Sequence, residues 1–236
     1  MTTDRNKPHQ PTRFTAADPT ENHAALFSTI EQALHTQGYS VQHGALARHL
    51  APSLRASLET TEQGLHLPAG FQQAGIGRQG SFSTNPDIRR DNTLWLENRN
   101  PAEQAWLEFA HALRLHLNRT LFLGLFSFES HFAHYPPGGF YKKHLDAFQG
   151  QKNRMVSVVL YLNQNWLPQD GGELLLYDET SSRKNSIRVL PTMGTLVAFL
   201  SEVFPHEVLP AQRDRYSIAG WYRLNTSSTN QVDPPS

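Results

Sequence analysis

Two imidazoles and one carboxylate stand where a single metal ion could reach all three. In the run YPPGGFYKKHLDAF, residues 135–148, four turn formers from Pro136 to Gly139 give way to an extended stretch carrying Tyr141, His144 and Asp146. In a strand, side chains at i and i+2 share a face, so His144 and Asp146 converge while Leu145 turns away. A His-x-Asp pair is weak evidence alone in a chain with 12 histidines. The third donor lies downstream in FPHEVLPAQRDRYSIAGWYR, where His206 opens a strand. Two imidazoles and a carboxylate on one side of a metal leave the other positions open, the arrangement used by non-haem Fe(II).

Arg215 suggests what fills the open positions. It starts an alternating run in which Ser217, Ala219 and Trp221 share its face. A guanidinium pointing into a barrel is costly unless it meets an anion. A dicarboxylate such as 2-oxoglutarate satisfies both ends: its 2-oxo acid chelates the iron and its far carboxylate pairs with Arg215. Tyr161, in VVLYLN, is the natural second donor to that carboxylate.

These residues need elements that hold them still. The segment HAALFSTIEQALHTQGY has apolar residues at helical spacing and Gly38 after the last of them, which predicts a helix. A second helix, interrupted by Pro52, is expected over GALARHLAPSLRASLE. The clearest signal is NPAEQAWLEFAHALRLHLN: Asn100 can cap, Pro101 suits the first helical position, and Glu103 completes a capping box. Its stripe of Ala105 or Trp106, Phe109, Leu113 and Leu117 should lie on a sheet.

After Thr120 the period changes, and about eight short strands follow, separated by turn signals such as PPGG, QDGG and PTMG. Helices first and strands afterwards predict an α+β domain built on a sandwich or barrel, spanning 23–224 between polar tails at 1–22 and 225–236.

Composition narrows the function. Lysine plus arginine equals aspartate plus glutamate at 21 each, so no nucleic-acid or anionic membrane partner is expected. The absence of cysteine excludes disulfides and thiolate nucleophiles. With no apolar leader and no membrane-length apolar run, a cytoplasmic protein is expected.

In family order, the segments DIRRDNTLWLE, YPPGGFYKKHLD, YLNQNW, GGELLLY, PHEV and RYSIAGWY resemble the 2-oxoglutarate and Fe(II) dependent prolyl hydroxylases, most of all the bacterial relatives of the egl-nine type. The resemblance runs from about Gly75 to Arg223. It implies a double-stranded β-helix, or jelly roll, with supporting helices. His144, Asp146 and His206 match the iron ligands, and Arg215 with Tyr161 the 2-oxoglutarate anchor. Tyr135, Leu174 and Trp221 match positions lining the co-substrate pocket. Asp91 and Arg154 match an acid and a base that tie the segment before the barrel to the barrel. Tyr141 stands where the family has a tyrosine at the active-site entrance. The implied co-substrates are 2-oxoglutarate and O2, with ascorbate as an accessory reductant, and the implied partner is a protein with an exposed proline loop.

Other residues near the site have plainer readings. His131 and His134 are expected as wall or surface residues, Lys142 and Lys143 as a solvated pair, Trp166 as hairpin packing, and Arg213 and Arg223 as exposed. The polar, glycine-bearing stretch from Gly75 to Asn92 suits a lid. A nucleic-acid demethylase on the same barrel would carry a second arginine where this chain has Trp221. A hydroxylase of free amino acids or small metabolites stays open, as does a non-catalytic cupin-like metal-binding module, in which Arg215 and Tyr161 would have no partner.

Overall fold

The computed structural model describes residues 23–59, 70–75, 84–147, 153–178, 185–225 and 227. The expected N-terminal tail, most of the C-terminal one and the middle of the expected lid lie outside these residues.

Three helices form where the periodicity requires them. Helix α1 (Ala24–Gln37) ends at Gly38, whose φ of 78° returns its N–H to Leu34. Helix α2 (Leu50–Glu59) starts later than the pattern suggested, because Pro52 belongs in a first turn, where its missing N–H has no bond to lose. Helix α3 (Pro101–Leu121) begins at the expected Asn100 cap, but Glu103 does not close the expected box on the Asn100 backbone N–H and accepts instead from the N–H groups of Glu97 and Arg99. Asn100 Oδ1 accepts from the backbone N–H groups of Ala102 and Glu103, each at 3.0 Å, and Glu103 returns along the same turn to accept from Asn100 Nδ2.

The described residues form eleven strands, three of them between the helices and eight after α3: β1 (Tyr39–Gln42), β2 (Gln72–Gln73), β3 (Asn92–Trp95), β4 (Leu125–Tyr135), β5 (Tyr141–His144), β6 (Arg154–Tyr161), β7 (Leu174–Asp178), β8 (Asn185–Val189), β9 (Leu196–Leu200), β10 (His206–Val208) and β11 (Arg215–Leu224). The first three were not expected. They hold two to four residues each, too few for alternation to register.

All strand pairs are antiparallel. One sheet runs β1-β9-β6-β11-β4-β3-β2 and the other β5-β10-β7-β8. They face each other as a jelly roll with helices on one outer side, the expected α+β architecture.

Alternation along β11 divides the interior in two. Tyr216, Ile218 and Tyr222 point to the helices and join Trp106, Leu113 and Leu117 of α3 in one core. Two polar clasps fix the helix on the sheet: Tyr222 Oη donates to Ala110 O at 2.8 Å, and Trp106 Nε1 donates to Ser130 Oγ at 3.1 Å. Truncating a fully buried residue such as Leu113 to alanine would cost about 2–5 kcal/mol. The opposite face of β11 carries Arg215, Ser217 and Trp221 toward the second sheet. There a separate apolar cluster of Tyr135, Tyr161, Leu174, Leu176 and Val197 lines the space between the sheets.

Candidate metal centre and co-substrate cradle

The PPGG turn carries the chain from β4 into β5, and β5 pairs with β10 so that His144 lies directly opposite His206. Their rings stand 4.3 Å apart at 55°. Asp146 is not on the strand with His144, as alternation implied, but on the bend just after it. It still reaches both imidazoles, with Oδ1 3.8 Å from His144 Nε2 and Oδ2 3.5 Å from His206 Nε2. The three donor atoms lie within 4.8 Å of one another. Bonds of about 2.1 Å to one ion would bring such ligands to about 3 Å apart, a small contraction from these distances.

Each ligand is held in its metal-binding form. His144 Nδ1 lies 2.8 Å from Lys142 O and His206 Nδ1 3.1 Å from Phe204 O, so these nitrogens donate to backbone and both Nε2 lone pairs stay free. Burial, with His206 beside it, pushes the His144 imidazole down to about 3, so it is neutral at pH 7. Burial works against an ionised Asp146, but the two imidazoles and a hydrogen bond from Ser157 outweigh it and hold the carboxyl at about 2. Tyr141 stacks on His144 at 3.6 Å and 16°, and the Arg89 guanidinium covers the other side of Tyr141 at 4.3 Å. The expected entrance tyrosine thus also clamps a ligand ring.

The Asp146 carboxylate has a support that sequence reasoning missed. Ser157 Oγ donates to Asp146 Oδ2 at 2.6 Å, and Ser201 Oγ lies 2.9 Å from Ser157 Oγ; both serines are buried. A signal was present: Ser157 interrupts the apolar run of β6 and is four residues before Tyr161, hence on the same strand face.

Behind the triad lies the arginine. Arg215 is 1% exposed, yet among the described residues no carboxylate pairs with it. Its Nε donates to Gly172 O at 2.8 Å and Nη1 to Ser217 Oγ at 3.3 Å. The guanidinium lies between two tyrosines, 4.9 Å from the ring centre of Tyr135 and 5.1 Å from that of Tyr161. Tyr161 Oη is buried with no hydrogen-bond partner, and burial pushes its hydroxyl up to about 12, so it remains a donor. A buried cation without an anion beside a donor without an acceptor is a cradle for a carboxylate. Gly172 makes room for it: at φ 68°, a Cβ there would come within 3.0 Å of Arg215 Cδ. Leu174 and Trp221 are buried, on β7 and on the pocket face of β11.

One expected pair does not form. Asp91 binds Arg89, Oδ1 to Nε at 2.7 Å and Oδ2 to Nη2 at 2.6 Å, rather than Arg154. Arg154 instead donates from Nη2 to Glu129 at 2.8 Å and lies over the Trp221 ring, 3.8 Å from its centre. The register explains the exchange. Glu129 and Arg154 flank the same stretch of β11, opposite Trp221 and Arg223, whereas Asp91 has Arg89 two residues away on its own segment.

Among the other neighbours only Arg223 differs from expectation. His131 and His134 are buried, the latter 2.6 Å from Asp214. Arg223 is half-buried against Glu129 at 3.6 Å, while Arg213 is exposed. Lys142 and Lys143 are exposed as a strand pair, and Trp166 packs its hairpin with Nε1 on Gly171 O at 2.9 Å.

A jelly roll with a His-Asp-His triad in front of a carboxylate cradle defines a non-haem iron oxygenase that uses a 2-oxo acid. Comparison with known proteins gives the same class. Residues 130–223 match the model of the 2OG-Fe(II) oxygenase superfamily. A Pseudomonas putida prolyl-4-hydroxylase is 38% identical and superposes with a TM-score of 0.74 over 84% of this chain and 99% of that one. A Trichoplax adhaerens prolyl hydroxylase, solved with a hypoxia inducible factor oxygen degradation domain peptide fragment, is 26% identical with a TM-score of 0.68, over 84% of this chain and 89% of that one. Human egl nine homolog 1 is 31% identical over 168 residues, 67% of this chain but only 38% of that protein. The chain belongs to the 2OG-Fe(II) oxygenase superfamily and is similar to its prolyl hydroxylases, egl-nine homologues among them.

That family uses Fe(II) and 2-oxoglutarate, and the residues present fit both. The triad offers the iron two imidazole Nε2 atoms and a carboxylate. The unmatched Arg215 and Tyr161 offer the co-substrate's far carboxylate a cation and a hydroxyl.

Proposed function

We propose that this protein is a dioxygenase that hydroxylates a prolyl residue in a protein substrate. The observation that carries the reading is the buried Arg215 with the unpartnered Tyr161 hydroxyl directly behind the triad. A metal-binding module without a 2-oxo acid would leave both uncompensated. The similarity to prolyl hydroxylases, one of them solved with a peptide, supports a polypeptide substrate.

Each residue has a definite task in this reading. His144, Asp146 and His206 hold the iron from one side. Arg215 and Tyr161 grip the C5 carboxylate of 2-oxoglutarate, so that the cradle sets the direction from which the 2-oxo acid meets the metal. Leu174, Trp221 and Tyr135 exclude water around the co-substrate, which strengthens its ionic contacts. Tyr141, stacked on His144 and half-buried, forms the wall at which a proline enters. Bound together, the iron and 2-oxoglutarate supply the oxidising chemistry: dioxygen is split between succinate, formed with loss of CO2, and the substrate C–H bond. No acid or base side chain is needed for that transfer.

The test compares the host proteome with and without active enzyme for peptides that gain one oxygen on proline. Active enzyme should give such peptides and His144→Ala should lose both them and succinate formation. Consumption of 2-oxoglutarate without any modified protein would overturn the polypeptide substrate in favour of a metabolite.

A further inference from the structure

Two of the 4 tryptophans bracket a buried histidine. Trp95, at the end of β3, is 46% exposed. Its ring meets His131 edge-on at 5.2 Å and 81°, and His131 in turn lies 5.4 Å from the ring of Trp221. Strand register builds the line: Trp95 is opposite His131, and His131 is opposite Ala219, two residues from Trp221 on the same face of β11. Trp221 is buried beside the metal ligands, with its indole N–H toward Asp146, whose ionised form it favours. Aromatic rings therefore run without a break from a ligand carboxylate to solvent.

Two further features give the line a direction. Burial pushes His131 down to about 4, so the bridging ring is uncharged at neutral pH. The Arg154 guanidinium lies 3.8 Å over the Trp221 ring, while among the described residues no cation covers Trp95. A ring face attracts a cation through its electrons; once one electron is gone the contact turns repulsive. An electron vacancy is thus less favoured on Trp221 than on Trp95, and moves outward. Trp95 lines a groove of about 710 Å³ with Leu107, Arg114, Phe126 and Glu129, wide enough to admit a small-molecule reductant.

We propose that Trp95, His131 and Trp221 form an electron relay that discharges the iron centre when it is oxidised with no substrate in reach, an inference that rests on the function proposed above. In each passage the oxidised centre gains one electron and Trp221 loses one. Trp221 recovers its electron from Trp95 across the His131 ring. Trp95 then takes one from a soluble ene-diol reductant such as ascorbate. Two passages would deliver the two electrons that, with two protons from water, a bound iron centre needs to regain its reduced state with release of one oxygen atom as water. Without reductant, the oxidised Trp95 loses its indole proton to solvent and adds dioxygen.

The test incubates the full chain with Fe(II), 2-oxoglutarate and air but no protein substrate, with catalase present. Succinate is measured, and peptide mass spectrometry locates added oxygen. Wild type should accumulate oxygen on Trp95, and ascorbate should suppress it at least about fivefold. His131→Leu, which breaks the line but touches no ligand, should lower Trp95 oxidation at least about fivefold per succinate formed and shift it to Trp221. Trp95→Phe should likewise oxidise at Trp221 and lose activity in fewer turnovers. Equal Trp95 oxidation in wild type and His131→Leu would show attack from bulk solvent and overturn the relay, as would succinate formation without oxidised Trp95. No succinate from any protein would instead overturn the proposed function, and the relay with it.

Discussion

Replacing Arg215 with methionine should separate affinity for 2-oxoglutarate from stability. The wild-type guanidinium is almost fully buried and, among the described residues, donates to Gly172 O and Ser217 Oγ and pairs with no carboxylate, so the anion proposed for it is the co-substrate's carboxylate. Removing one partner of a buried charged pair costs about 2–5 kcal/mol, which raises Kd about thirtyfold to several thousandfold. The ligand-free fold responds differently. Methionine relieves the burial of an unmatched cation but leaves Gly172 O without its donor, two effects of opposite sign and similar size, about 1–3 kcal/mol. The melting temperature of the ligand-free variant should therefore stay within a few degrees of wild type. At a 2-oxoglutarate concentration about 100 times the wild-type Kd, ligand adds about 2.7 kcal/mol to wild type and less than about 1 kcal/mol to the variant. Thermal melts with the co-substrate and Mn(II), set beside the KM for 2-oxoglutarate from succinate formation, measure both quantities. An Arg215→Met protein that 2-oxoglutarate stabilises as strongly as wild type would refute the cradle.

Three more outcomes follow from the same geometry. Ser157→Ala should weaken Co(II) or Mn(II) binding about 10–100-fold by releasing Asp146 Oδ2, and Ser157→Thr should restore it, as read by metal titration; unchanged affinity in the alanine variant would contradict this. A double-mutant cycle should give a coupling of at least about 1 kcal/mol between Asp91 and Arg89 and almost none between Asp91 and Arg154, measured by urea unfolding. Below pH 6.5 the unfolded chain protonates His131 while the native chain resists until about pH 4, so stability should fall with falling pH across that window by up to about 1.4 kcal/mol per unit from this residue. His144, held neutral to about pH 3, acts in the same direction in the metal-free protein. His131→Phe should flatten the slope between pH 7 and 5, and an equal slope in wild type and variant would remove His131 as its source.

The parts of this site legible in the sequence are those whose residue types are improbable without a function. A histidine and an aspartate after a tight turn, a distant histidine at a strand start, and an arginine on an inward strand face each need a chemical reason, and one metal with one dicarboxylate supplies it for all four. The three helices were legible for another reason: caps and apolar stripes are local, and Asn100, Pro101 and Glu103 state where α3 begins. Partner choice among charges was not legible. Whether Asp91 meets Arg89 or Arg154 depends on which strand lies beside which and in what register, and no run of residues encodes that. Ser157 and Ser201 were missed for a similar reason: the break Ser157 makes in the apolar run of β6 marks its strand face but not its partners, Asp146 11 positions before it and Ser201 44 positions after.

The exchange of partners at Arg154 alters what surrounds the iron. Bonded to Asp91, this arginine would be a strut between the segment before the barrel and the barrel itself. Bonded to Glu129, its guanidinium is free to lie on the Trp221 indole, next to Asp146. That strut is provided instead by Arg89, which joins Asp91, Gly75 O and the Tyr141 ring in one cluster. Because Tyr141 stacks on His144, a disturbance of the segment that bears Arg89 reaches an iron ligand through two ring contacts. In the proposed reading, in which a proline enters at Tyr141, a substrate that displaced this segment would reach the His144 imidazole through these contacts without touching the iron.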